Sequence, residues 1–311
     1  MTITSGIQPR PIRVVIYGPE GIGKTTLASA FPEPLFIDVE GGTAHLDVKR
    51  TERPVLWTQI LNYCDEVARD PSICKTLILD TADWAERLCI AHVCKKANKT
   101  GIEDFGYGKG YTVVAEEFTK LTQRLDAVIA AGVNVVVTAH AKMRKFELPD
   151  EMGAYDRWEL KLTKNVAPIL KEWCDDLLFL NYKTYVVTGE NGAKKAQGGK
   201  RVIYASHHPC WDAKNRHGLP DEMEMSFEAL APLFAAVGSD STKAIPTPPK
   251  LPLEQLVELM ERDGVTEDQL REIARQKGYK AADVPLAECP PTYIRKFFLP
   301  HWEKIVETLK K

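Results

Sequence analysis

The residues with the clearest chemistry are Gly18-Pro19-Glu20-Gly21-Ile22-Gly23-Lys24-Thr25, which fit G-x-x-x-x-G-K-[ST] at every fixed position. Glycines at this spacing let the chain curl so that backbone N–H groups point inward at phosphate oxygens. Lys24 is long enough to reach β- and γ-phosphates, and the Thr25 hydroxyl can bind Mg²⁺. The run Ile12 to Tyr17 reads as a buried strand before the loop, and Thr25-Thr26-Leu27-Ala28-Ser29-Ala30 as a helix after it. A chance match in a glycine-rich turn would lack this strand–loop–helix context. The expected ligands are a nucleoside triphosphate, ATP, and Mg²⁺.

Triphosphate hydrolysis needs further carboxylates. Lys75-Thr76-Leu77-Ile78-Leu79-Asp80-Thr81 places Asp80 at the end of an apolar strand, where it would hold the Mg²⁺ water shell together with Thr25. Leu35-Phe36-Ile37-Asp38-Val39-Glu40 is a second strand, and Glu40 stands just past it, before Gly41-Gly42. A carboxylate there would face the γ-phosphate and orient or deprotonate water. Asp38 points the other way by alternation and is expected to be structural.

Apolar runs recur at Val14–Tyr17, Leu35–Val39, Leu77–Asp80, Val133–Thr138 and Leu177–Leu180, with amphipathic stretches at Asp83–Lys96 and Val113–Ala131. That alternation predicts an α/β fold with a mostly parallel sheet flanked by helices. A hairpin is expected from Lys183–Thr188 to Lys200–Ala205 around Gly189-Glu190-Asn191-Gly192, then a helix over Phe227–Ala236. The reading divides the chain into an ATPase core over 1–237, a Pro-rich linker over 238–250 and a small helical module over 251–311. In the module Leu253, Leu256, Val257 and Met260 share a helical face, Thr266 and Gln269 have capping-box spacing, and Gly278 would stop the second helix.

Composition narrows the classes. A formal net charge of −2 gives no global electrostatic case for nucleic acid, so any such site must be local. No run is apolar over a membrane's width, and Met1–Arg10 is polar. Seven cysteines in irregular positions suggest reduced thiols, so a cytoplasmic protein without a membrane partner is expected. Cys89, His92 and Cys94, and His207, His208, Cys210 and His217, read as core cysteines and surface histidines rather than zinc ligands.

Strand–Asp-x-Glu after the phosphate loop, then strand–Asp-Thr, then Val133-Asn-Val-Val-Val-Thr138-Ala-His140 resembles the RecA-like recombinase core. More narrowly, roughly residues 10–237 look like the phage-encoded RecA-core ATPases proposed to act in single-strand annealing. The resemblance implies Glu40 as catalytic base, Asp80 as the Mg²⁺-side carboxylate and His140 as γ-phosphate sensor, where the bacterial recombinase pattern carries glutamine. It implies single-stranded DNA as partner, homo-oligomers with ATP at subunit interfaces, and the cytoplasm of a bacterial host. Two mobile loops hold DNA in that family. The matching segments are Gly101–Tyr111, with Lys109, and Ala141–Lys164, with Lys142, Arg144 and Lys145.

Lys142–Lys164 carries six basic and five acidic residues, so its electrostatic footprint is weak. Lys183–Arg216 carries seven basic residues and two acidic ones, and there Lys194, Lys195, Lys200 and Arg201 would touch nucleic acid or reach a neighbouring subunit's γ-phosphate. The tail, near-neutral, is expected to contact phage or host recombination proteins or to serve assembly. A P-loop kinase of a small acceptor, an ATP-gated annealing or packaging scaffold, and a helicase-type motor remain alternatives, because the fold alone does not establish annealing.

Overall fold

Side chains alternate along β1 (Arg13–Gly18), sending Val15 and Tyr17 to one face of a sheet and Val14 and Ile16 to the other, and each face is covered by helices. The computed structural model describes residues 3–6, 8–147, 153–188, 194–235, 252–276, 285, 286, 289 and 293–309. After β1 come α1 (Lys24–Ser29), β2 (Pro34–Asp38), β3 (Lys49–Arg50), α2 (Trp57–Arg69), β4 (Thr76–Asp80), α3 (Ala82–Lys96) and α4 (Lys109–Ala130). Next are β5 (Asn134–Glu147), β6 (Ala154–Leu160), α5 (Ala167–Trp173), β7 (Asp176–Thr188), β8 (Lys194–Tyr204), β9 (Lys214–Asn215), β10 (Glu222–Glu224) and α6 (Phe227–Ala235).

The strand order is β10-β8-β7-β1-β5-β4-β2-β3, with β6 added to β5 and β9 to β7. Every pairing from β7 across to β3 is parallel, and the pairings of β8, β10, β6 and β9 are antiparallel. The expected α/β fold, a mostly parallel sheet flanked by helices, is therefore what the chain adopts. One face packs against α2, α3, α4 and α5 through Trp57, Cys89, Phe118 and Leu170. The other packs against α1 and α6 through Leu27, Ala28, Leu230 and Leu233. Helix α2 is absent from the sequence reading, although Trp57, Ile60, Cys64 and Val67 are buried at helical spacing.

Three expectations need correction. Ala141–Phe146 is no loop: β5 continues through it and pairs with β6 in antiparallel register, Ala141 opposite Leu160 and Glu147 opposite Ala154. A ladder satisfies the backbone polar groups that a loop would leave to water. Lys109 opens α4 rather than lying within a loop, after a short 3₁₀ turn at Ile102–Phe105. The hairpin strands β7 and β8 are longer than the apolar signal, and a bulge at Lys183/Thr184 interrupts their register. The hairpin turn at 189–192 lies outside the described residues.

The chain divides into compact units Met1–Thr242 and Lys243–Lys311. The linker 238–250 and Gly278 lie outside the described residues. The second unit has its own core, in which α7 (Pro252–Asp263), α8 (Glu267–Gln276) and α9 (Trp302–Leu309) bring together Leu256, Leu270, Ile273, Trp302 and Ile305. Thr266 and Gln269 cap α8 reciprocally, the Thr266 N–H donating to Gln269 Oε1 at 2.9 Å and the Gln269 N–H to Thr266 Oγ1 at 3.3 Å. Leu256 is fully buried, whereas Val257 on the same expected face is 41% exposed. No helix among the described residues is long and apolar enough to cross a membrane.

Candidate nucleotide-hydrolysis site

Parallel strands release their chains on the same side of a sheet, and here β1, β2, β4 and β5 deliver the phosphate loop, Glu40, Asp80 and His140 to that edge. Two glycines of the loop are required by contact. A Cβ on Gly18 would stand 2.5 Å from the Leu180 carbonyl, and Gly23 has φ 105°. The Lys24 ammonium is buried and donates to the carbonyls of Gly18 at 3.2 Å and Pro19 at 3.0 Å. Burial pulls its pKa below the usual lysine value, against the raising influence of Asp80 and Glu40. A phosphate would offer that ammonium a full negative charge in place of two carbonyls.

Asp80, at the end of β4, is fully buried, and its pKa is raised, chiefly by burial. Thr25 Oγ1 donates to Asp80 Oδ2 at 2.8 Å, and Thr138 Oγ1 donates to Oδ1. The adjacent hydroxyl and carboxylate are hard oxygen donors, the set Mg²⁺ takes when substrate phosphates and water supply the rest. No group of three or more His, Cys, Asp or Glu among the described residues could hold a metal by itself, so the ion's other ligands would have to be phosphate and water.

Asp38 has the structural part expected of it. Its carboxylate accepts from the N–H groups of Gly41 at 2.6 Å, Gly42 at 3.1 Å and Thr43 at 2.9 Å, and from the Thr43 hydroxyl at 2.6 Å. These bonds fix the turn that carries Glu40, whose own N–H donates to the Asp80 carbonyl at 3.3 Å. Burial raises the Glu40 pKa, with Asp80 and Asp83 adding to the effect and His140 and Lys24 opposing it. A carboxylate shifted upward is a stronger base once ionised.

Asp83 is the residue the sequence reading missed. From the first turn of α3 it accepts the His140 backbone N–H at 3.1 Å and contacts Nδ1 at 3.0 Å. Burial raises the Asp83 pKa, but the His140 hydrogen bonds outweigh it and hold the group below the usual carboxylate range. An ionised carboxylate can only accept, so Nδ1 carries the proton. In the neutral ring Nε2, 3.8 Å from Glu40 Oε1, is then an acceptor, and it donates to a phosphate only when the ring is protonated. Spacing held the one available signal for Asp83, a second aspartate three residues after Asp80.

Glu20 and Thr26 belong to the loop and to α1 as expected, and Glu20 forms a 2.8 Å ion pair with Lys161. The Lys161 N–H also donates to the His140 carbonyl at 2.8 Å. The structure does not gather the candidate DNA-binding cations. Lys142 Nζ donates to the Leu162 carbonyl at 2.6 Å, Arg144 lies 3.8 Å from Glu159, and Lys200 lies 3.5 Å from Glu224. Lys109 and Lys145 are exposed. Lys194 and Lys195 pair through the backbone with Thr188 and Val187. Arg201 stands against the phosphate loop of its own chain. Of the sulfur and imidazole groups, Cys89 and Cys94 are buried, and His208 stacks on Trp211 at 4.1 Å.

Residues 10–217 match the family described as AAA domain. No curated protein sequence matches the chain. Among solved structures it is similar to a KaiC-like protein from the hyperthermophilic archaeon Pyrococcus horikoshii OT3, at 14% identity and TM-score 0.36, covering 63% of this chain and 79% of that one. The family match spans well over half of the chain, which therefore belongs to the AAA domain family and contains an AAA-type P-loop ATPase domain.

Proposed function

We propose that this ATPase binds single-stranded DNA and uses its nucleotide cycle to promote strand pairing or annealing in recombination, as a homo-oligomer with ATP at subunit interfaces. The observation that carries the reading is the continuity of β5. β5, which places His140 at the nucleotide site midway along its length, runs unbroken into the β5–β6 arm, where Lys142, Arg144 and Phe146 share one face and Met143 and Lys145 the other. Phe146 and Tyr155 pack edge-on at 5.7 Å, and Arg157, its guanidinium paired with Asp212, lies 5.0 Å from the Phe146 ring and holds it in place, leaving Arg144 and Lys145 as the exposed cations of the arm. Cations beside aromatic rings suit phosphate contact and base stacking.

In the reaction, Glu40 takes a proton from the attacking water while Lys24 offsets charge on the phosphates. Thr25 and Asp80 would hold Mg²⁺, which when bound supplies neutralisation of phosphate charge. His140, its ring fixed by Asp83, presents Nε2 to the γ-phosphate and thereby links nucleotide state to the base of the arm. The small helical unit, with a surface of mixed charge, takes a recombination partner protein rather than DNA.

Fluorescence anisotropy of a labelled single strand tests this reading. The expected result is tighter binding with ATP·Mg²⁺ than with ADP, weakening as salt rises from 50 to 200 mM, as counterion release requires. Equal affinity in both nucleotide states, or none for any single strand, would overturn it.

A further inference from the structure

The β7–β8 side of the phosphate loop holds a cation for which the reaction above has no use. A Cβ built on Gly23 would lie 3.1 Å from Arg201 Nη1 and 2.9 Å from Met225 Cε, so both side chains stand directly over the loop residue that precedes Lys24. Arg201 shares its strand face with Ile203, which belongs to the core around α1. Just before it, Gly198 and Gly199 have φ 126° and 127° and form the bulge opposite Lys183, which re-aims the strand. Its backbone is tied down as well, since the Met225 N–H donates to the Arg201 carbonyl at 3.3 Å. No carboxylate among the described residues pairs with this guanidinium, whereas Lys200 beside it lies 3.5 Å from Glu224. An unpaired, positioned guanidinium beside a phosphate loop is matched to an anion.

Sheet order tells which part of the nucleotide it meets. Asp80, Glu40 and His140 come from β4, β2 and β5, all on one side of β1, and they mark the γ-phosphate end. Arg201 comes from β8, on the other side of β1. We propose that Arg201 is a nucleotide-binding residue acting within its own subunit, taking the phosphate remote from the γ-phosphate, the α-phosphate of ATP or ADP. It is then unavailable as a DNA contact or as a finger into a neighbouring site. This inference rests on the assignment of Gly18–Thr25 as the nucleotide site.

Calorimetric titration of ADP into the full chain, without DNA, separates the possibilities. Arg201→Ala is expected to weaken ADP binding about ten- to a hundredfold, the range for a charge-assisted hydrogen bond to phosphate, with Arg201→Lys intermediate. Lys99→Ala, an exposed cation after α3 with no part in the site, is expected to bind ADP like wild type. Thermal unfolding checks that each variant is folded. Lys24→Ala is the control for the site itself: if it leaves ADP binding intact, the nucleotide-site assignment fails and Arg201 with it. If Lys24→Ala abolishes binding but Arg201→Ala does not weaken it, the Arg201 proposal alone is overturned. It is equally overturned if Arg201→Ala loses only turnover and mixing with Lys24→Ala subunits restores it, because that is action across an interface.

Discussion

From Asn134 to His140, β5 is buried beside β1 and β4; from Ala141 to Glu147 the same strand pairs with β6, and Met143, Arg144, Lys145 and Glu147 are exposed. In the buried half each polar group has a designated partner: Thr138 bonds Asp80, and His140 bonds Asp83 twice. Along the exposed half Arg144 has one carboxylate, Glu159 at 3.8 Å, within reach of water. Buried, fully bonded groups are expensive to disturb, while exposed ion pairs contribute little. One strand thus joins a fixed chemical site to a surface free to exchange partners.

Lys24→Ala should give the largest effect on the buried side. Loss of the ammonium from the phosphate loop is expected to reduce nucleotide affinity at least about a hundredfold, read by titration with a fluorescent ATP analogue. Glu40→Gln should separate binding from chemistry, with turnover falling by roughly 10²- to 10⁴-fold and ATP affinity held near wild type. Because the Glu40 pKa is raised, wild-type turnover should fall on acidification while still above the ordinary glutamate value of 4.5. A pH–rate profile tests that limb.

Asp83→Asn should lower turnover about tenfold by freeing the imidazole, with little change in ATP affinity. It also carries a stability signature. A native pKa below the ordinary aspartate value of 3.8 stabilises the fold fully above that value, and the contribution is lost as pH falls through the native value. Acid unfolding of Asp83→Asn should lack that part of the wild-type slope. The smallest effects belong to the arm, where Arg144→Ala and Lys145→Ala should each weaken single-strand binding about two- to threefold and reduce its salt dependence, with DNA-free turnover unchanged. An arm variant that abolished ATP binding would erase the contrast between the halves of β5.

The same contrast governs what could be read from the sequence. The motif Gly18–Thr25, Asp80 and the five apolar strand cores announce themselves because buried parallel strands are runs of Val, Ile and Leu. Asp38 could be assigned by alternation alone, and the Thr266–Gln269 cap by spacing. The outer half of β5 could not, since Lys142-Met143-Arg144-Lys145 has the composition of a loop and becomes a strand only by pairing with β6. Asp83 was hidden for a related reason: an acidic residue in a first helical turn is ordinary, and only the fold shows His140 above it. Arg201 read as part of a basic hairpin because charge counts along the chain are blind to which face a strand presents.

Phosphate release from ATP·Mg²⁺, measured for wild type and Glu40→Gln with and without single-stranded DNA, tests most directly that one strand couples the two regions. The account predicts wild-type turnover that DNA stimulates and salt suppresses, and Glu40→Gln that binds ATP and DNA without turning over. Wild-type turnover indifferent to DNA at every salt concentration would contradict it.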